Sequence, residues 1–399
     1  MKIGQTIYLD HQASTPLDLR VFEAMRPYFQ DSVGNPHASE HIFGWRSMQA
    51  IEKAANQVAE LIGSDSDEII FTSGATESNN LALSGIAKYA SRGERKRILI
   101  SAIEHKCIFE ITHYLHEAFG YMVTQIPVNS IGQLDMQVLE QELGNDVLLL
   151  SVMPVNNEIG TIQDIPAISG LAKSHGILIH CDAAQSPCAI DLSKFTDYVD
   201  LISLSGHKIY GPMGIGALYV SRELHKHLSP VIYGGGQQDG LRSGTLPTAL
   251  CVGLGSAAEL MFGPAANIER ESLALRRNLF EKHLKSLPYD IWVNGPEYPE
   301  NRHPGNINVG FKDVNAADLL NRVQPYIAAS SGSACTSGIL EPSHVLRSIG
   351  LKEKDASSSV RFSIGRYTKD NEILEAVKYV NTSLETICND NFCDMVNSS

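Results

Sequence analysis

Residues 147–153 read Val-Leu-Leu-Leu-Ser-Val-Met, and they are followed by Ile177-Leu-Ile-His-Cys181 and then by Asp200-Leu-Ile-Ser203. All three are short runs of Leu, Ile and Val without polar alternation, the pattern of strands covered on both faces. The first interval between them carries a helical pattern at Pro166 to His175. Strands joined through helices in this way predict an α/β fold with a mostly parallel central sheet and helices on both faces.

Working outward, Arg97-Ile-Leu-Ile-Ser101 and Glu68-Ile-Ile-Phe-Thr72 read as further strands. Before them, Met48, Ile51, Ala55, Val58 and Ile62 recur at three- and four-residue steps, predicting an amphipathic helix that stops at Gly63. Toward the C-terminus, Gly211-Pro-Met-Gly-Ile-Gly216 is a turn ahead of a strand at Ala217 to Val220. Gly234 to Gly240 opens a loop reaching Arg242-Ser-Gly-Thr245, and near Pro264 the texture changes to a charged helix, Ile268 to Leu287. A chain of 399 residues exceeds the size at which one apolar core usually splits. The expected division is a large domain over 15–263 and a smaller α+β domain from 1–14 and 264–399, the latter carrying a loop at about 328–340.

The formal net charge of −13 argues against direct nucleic-acid binding. No apolar run approaches membrane-spanning length, and the N-terminus lacks the apolar segment of a signal peptide, so a cytoplasmic location is expected. Seven scattered cysteines with no C-x-x-C pair predict reduced thiols, neither a disulfide framework nor a metal centre. One of them, Cys335, stands in Ser-Ser-Gly-Ser-Ala-Cys-Thr-Ser-Gly, 330–338, a run too small in side chain to pack firmly, and is expected on a mobile loop.

Ligands of an open α/β sheet bind at the carboxyl ends of its strands. Reading those ends in turn gives Ser73-Gly-Ala-Thr-Glu77, then Glu104-His105-Lys106, Asn156-Asn157-Glu158, Asp182 with Gln185, and Ser205-Gly-His-Lys208. The first is a glycine turn opening a helix, where the N–H groups of Ala75 and Thr76 and the Thr76 hydroxyl can cradle a phosphate. Singly, each group has an ordinary structural reading: a helix cap for Asp182, a core imidazole for His105 or His207, a solvated charge for Lys208, an outward strand residue for Arg361. Jointly they are the parts that hold pyridoxal phosphate, which needs a lysine for its Schiff base and a carboxylate to keep its ring nitrogen protonated.

The segments YLDHQASTP at 8–16, GNPHAS at 34–39, FTSGATESNN at 71–80, EHK at 104–106, VNNEIG at 155–160, HCDAAQS at 180–186, SLSGHKIYGP at 203–212, GGGQQDGLRSGT at 234–245, SSGSACTSG at 330–338 and VRFSIGR at 360–366 carry a further reading. The chain closely resembles the group I cysteine desulfurases, the NifS/IscS type, within the class V aminotransferase family of fold-type I pyridoxal-phosphate enzymes. That resemblance implies that Lys208 carries the Schiff base, Asp182 pairs with the ring nitrogen, Gln185 with the ring oxygen, and His105 stacks on the ring. Ala75, Thr76, Ser205 and His207 would bind the phosphate, with Thr245 reaching it from the second subunit of a homodimer. Asn157, also placed beside the cofactor, and Arg361 would hold the carboxylate of L-cysteine. Cys335 would take the sulfur as a persulfide, release L-alanine as product, and pass the sulfur to an acceptor protein. The last residues, Asn391 to Ser399, do not match the tail with which housekeeping members dock an iron–sulfur scaffold. Iron–sulfur cluster supply, tRNA thiolation and DNA phosphorothioation are therefore all open as destinations. The competing readings are an aminotransferase, a β-lyase or selenocysteine lyase on the same cofactor, and a cofactor-bearing assembly scaffold.

Overall fold

The computed structural model describes residues 1–297, 299, 301–331 and 342–397. Its central sheet has seven strands in the order Ile69–Thr72, Gly216–Val220, Leu201–Ser205, Leu178–Asp182, Val147–Ser151, Arg97–Ser101 and Met122–Ile126. From Leu201–Ser205 to Met122–Ile126 all neighbours are parallel, whereas Gly216–Val220 runs antiparallel to both strands beside it. The sheet is thus mostly parallel, as the apolar runs predict. Met122–Ile126 escapes that reading for a physical reason: it is the sheet edge, only partly covered, and its Met-Val-Thr-Gln-Ile lacks an apolar run.

Successive residues of each inner strand enter different cores. Ile98 and Ile100 pack with Leu81, Ile86, Ile108 and Leu115 from the helices Ala75–Tyr89 and Lys106–Phe119. Leu99 and Leu150 pack on the opposite side with Val58, Ile168 and Leu254. Two buried faces explain why these strands contain no alternating polar residues. The helix Ile42–Ile62 starts a few residues before its periodic pattern and ends at Gly63, whose φ of 77° is the left-handed cap conformation. It packs on the helix Thr248–Glu259, where a Cβ on Gly255 would stand 2.7 Å from the Ala54 Cα. Among the described residues no single helix is long and apolar enough to cross a membrane.

A separate apolar core gathers Ile7 and Leu9 with Phe280, Ile307, Val309, Phe362, Val380 and Leu384. It surrounds the antiparallel strands Ile291–Asn294, Asn306–Phe311 and Ser359–Ser363, backed by the helices Gly263–Lys285 and Asp370–Asn397. Arg366 ties this part to the central sheet's side. Its guanidinium meets Asp18 at 2.6 Å and Glu269 at 2.9 Å and lies 4.1 Å from the Tyr210 ring centroid, while its N–H donates to the Tyr210 hydroxyl at 2.7 Å.

Gly255→Val would force a branched side chain into Ala54 in a tightly packed helix pair. We expect it to destabilise the fold by about 1–3 kcal/mol, read as a lower urea midpoint in equilibrium unfolding.

Candidate active site

The ends of the parallel strands open into one cavity of about 870 Å³. Ala75, Thr76, His105, Asn157, Asp182, Gln185, Ser205, His207, Lys208 and Arg361 all line it. They arrive from five strand ends and from the separate antiparallel sheet, so only the folded chain assembles them. Thr245 does not: it is exposed and away from the lining. Cys335 falls outside the described residues.

Lys208 sits on a single 3-10 turn, Gly206–Lys208, between the end of Leu201–Ser205 and the returning strand Gly216–Val220. Its Nζ donates to the carbonyl oxygens of Gln12 at 2.8 Å and Ala13 at 2.7 Å. Burial, then the positive charge of Arg361, lowers its pKa to about 8, against the opposing pull of Asp182 and Asp10. A substantial share of the amine is therefore neutral, hence nucleophilic, near physiological pH. His207, next to it, is brought down to about 4 by burial and by the Lys208 charge, so its ring is neutral and contacts Ser14 Oγ at 3.3 Å.

At one end of the cavity the helix Ala75–Tyr89 begins at Gly74, which provides no side-chain cap, and Thr76, Ser205 and His207 line the cavity with it. Gly216 makes this approach possible, since a Cβ there would stand 2.6 Å from the Gly74 Cα. Glu77 stays at that end with its carboxylate engaged: it accepts from the Ser73 N–H at 2.8 Å and pairs with Arg242 at 2.7 Å. An uncapped helix end with hydroxyl donors and a close glycine suits a phosphate. Across the cavity Asp182 accepts from Asn79 Nδ2 at 2.7 Å and from the Ala184 N–H at 3.1 Å, which fixes its carboxylate. Gln185 is buried and anchors Nε2 on the Gln12 carbonyl at 2.9 Å. His105 caps the helix Lys106–Phe119, its Nδ1 accepting the Cys107 N–H at 3.2 Å, so a neutral ring carries its proton on Nε2. Phosphate cradle, lysine, carboxylate and exposed imidazole in one enclosure fit pyridoxal phosphate.

The third region is Arg361, on the strand Ser359–Ser363. Its guanidinium donates to the Asn157 carbonyl, Asp10 Oδ1 and Ser330 Oγ, each at 2.8 Å, and its buried Nε has no partner among the described residues. Asn157 thus meets Arg361 through its backbone. Asp10 and Gln12 belong to a quoted motif, yet sequence gave them no role; their work, accepting from Arg361 and Lys208, is a tertiary fact invisible in spacing. The same holds for Asn79 behind Asp182. Glu104 and Glu158 stand at strand ends in the sequence and prove fully buried beside the cavity, both with carboxyl pKa raised chiefly by burial. Among the described residues no group of three or more His, Cys, Asp or Glu could hold a metal ion.

Residues 7–375 match the model of the class-V aminotransferase family. Among characterised relatives, the cysteine desulfurase IscS of Rickettsia bellii is 45% identical over 378 residues, covering 94% of this chain and 90% of that one. A solved NifS-like protein superposes with a TM-score of 0.88 at 31% identity, over 96% of this chain and all of that chain (100%). A structure titled SspA in complex with cysteine gives 0.79 at 38% identity, over 91% and 100%. The chain therefore belongs to the class-V aminotransferase family, and within it to the cysteine desulfurases of NifS/IscS type.

Proposed function

We propose that this protein moves sulfur from L-cysteine to its own Cys335, releasing L-alanine, and then passes the sulfur to an acceptor protein. The balance closes without an outside oxidant: L-cysteine and the Cys335 thiol give L-alanine and a Cys335 persulfide. The carbon–sulfur bond becomes carbon–hydrogen while the enzyme sulfur is oxidised by one bond. The observation that carries the reading is the single enclosure containing Lys208, Asp182 and Arg361.

Pyridoxal phosphate, held by Lys208, Asp182, Gln185, His105 and the Ala75–Thr76–Ser205–His207 end, would supply an electron sink beside the substrate Cα. Arg361 would grip the substrate carboxylate through guanidinium N–H groups, with Asn157 alongside it. An incoming carboxylate competes there with Asp10, now 2.8 Å from Arg361. Lys208, neutral above about pH 8, can take the Cα proton and return it to the product. His105, on the cavity lining with Nδ1 engaged by the Cys107 N–H, is suited to proton movement through Nε2 near the leaving sulfur. Only the thiolate of Cys335 attacks sulfur efficiently.

Phe29, Val33, Ile42, Phe43, Trp45 and Met48, six large apolar side chains within residues 29–48, are all exposed. Such a cluster supports a homodimer, in which Thr245 would reach the phosphate of the other subunit; the enzyme would work in the cytoplasm and deliver to a protein partner. The destination is one of iron–sulfur cluster assembly, tRNA thiolation or DNA phosphorothioation.

Cys335→Ser should retain the yellow cofactor band yet lose alanine formation at least a hundredfold, while Lys208→Ala should lose the borohydride-sensitive band itself; an active Cys335→Ser enzyme refutes the assignment. Mass spectrometry of the wild type after cysteine treatment should find one added sulfur on Cys335. Uptake of pyridoxal phosphate by the apoprotein should accelerate as pH rises through about 8. Because Arg361 lowers the Lys208 pKa, Arg361→Leu should move that midpoint upward. Native mass spectrometry should read a dimer, dissociated by Phe43→Glu combined with Trp45→Glu.

A further inference from the structure

Glu104 ends the turn after the strand Arg97–Ser101 and has no solvent exposure. Its Oε1 accepts the Met153 N–H at 2.5 Å, and its Oε2 has no partner among the described residues. Groups of three neighbouring elements bear on it or on its neighbours. Asp182 and Cys181 stand at the end of the strand Leu178–Asp182, Asn79 on the helix Ala75–Tyr89, and Cys107 on the helix Lys106–Phe119. His344 approaches with Nε2, but its contact is the Glu104 carbonyl oxygen, at 2.9 Å, not the carboxyl group. No cation pairs with the Glu104 carboxyl among the described residues.

A carboxyl group closed off from water, with one hydrogen-bond donor and no cation beside it, keeps its proton. Asp182 receives Asn79 Nδ2 and the Ala184 N–H, whereas Glu104 receives the Met153 N–H alone. Burial and the Asp182 charge both raise the Glu104 pKa. The cluster also contains a buried acceptor without a partner among the described residues, Asn79 Oδ1.

We propose that Glu104 is a positioning residue that stays protonated, so that it adds no second negative charge to the floor of the cavity beside Asp182. This rests on the cofactor site described above, in which Asp182 must be the sole anion facing the ring nitrogen. A second ionised carboxylate nearby would repel the Asp182 charge and make it more basic, drawing the shared proton from the ring nitrogen toward Asp182. Glu104 also joins two strand ends through the Met153 N–H, which sets the depth of the floor.

The test is Glu104→Gln, an isostere of the protonated acid that can still accept from Met153 and donate from its amide. Infrared difference spectra of apoprotein at neutral pH, wild type minus Glu104→Gln, should show the carbonyl band of one protonated carboxyl. In the reconstituted enzyme, alanine formation should stay within about threefold of wild type, and the pH midpoint of the cofactor's absorbance change should not move. Glu104→Met, of similar length but unable to accept, should lower the rate about tenfold. The proposal is overturned if the band is absent, if the midpoint shifts, or if Glu104→Gln fails to fold or loses activity a hundredfold. The infrared reading needs no catalysis. An inactive wild type with the band present therefore sinks the proposed reaction and leaves the Glu104 assignment standing.

Discussion

The withdrawal of Lys208 from water is the constraint on which the site depends. Holding its ammonium at a pKa of about 8 instead of 10.5 costs about 3 kcal/mol while the group is charged. The native state binds fewer protons than the unfolded chain between those values. That cost is therefore full below pH 8 and is relieved as pH climbs toward 10.5. A fold that tolerates this gains a reactive amine at neutral pH. The carbonyls of Gln12 and Ala13 accept from the charged amine and soften the penalty.

Those carbonyls do not belong to the sheet that carries the lysine. They lie in the N-terminal segment, whose strand Thr6–Tyr8 pairs with Ile327–Ala328 and whose Asp10 bridges to Ser363. Arg361 comes from the same quarter, on the strand Ser359–Ser363. Both the hydrogen-bond acceptors of the amine and the cation that depresses its pKa are thus delivered across the join between the two larger bodies of structure. Arg366 secures that join, with Asp18 and Glu269 on either side of its guanidinium and Tyr210, two residues past Lys208, beneath it. Hydrogen bonds from Arg20 first, then from Tyr367 and Arg366, hold the Asp18 carboxyl well below the usual range, against burial, which pushes it up.

Much of the architecture was legible because strand and helix periods are local. The apolar runs at 147–151 and 178–181 could hardly be anything but two-faced strands, and the strand-end rule then pointed to Asp182, His105 and Lys208 together. What remained hidden depends on contact between distant residues. Met122–Ile126 is an edge strand, so its composition carries little of the signal. Asp10, Gln12 and Asn79 act through partners more than a hundred residues away. Glu104 and Glu158 look like any surface acids until burial is known. Thr245 lies off the cavity in a single chain, and nothing in the loop around Arg242 would indicate how far from it.

One register detail governs the scale of the whole enclosure. Gly216 stands opposite Thr72 on one side and Ser205 on the other, so the strand leading to the helix start at Ala75 and the strand leading to the lysine turn are in register with the same residue. The spacing between them is therefore a ruler graduated in strand separations, independent of loop length. Loops elsewhere on the molecule can grow or shrink and leave that gauge intact. A single residue inserted beside Gly216 would reset it, and a cofactor of fixed size would no longer span its two moorings.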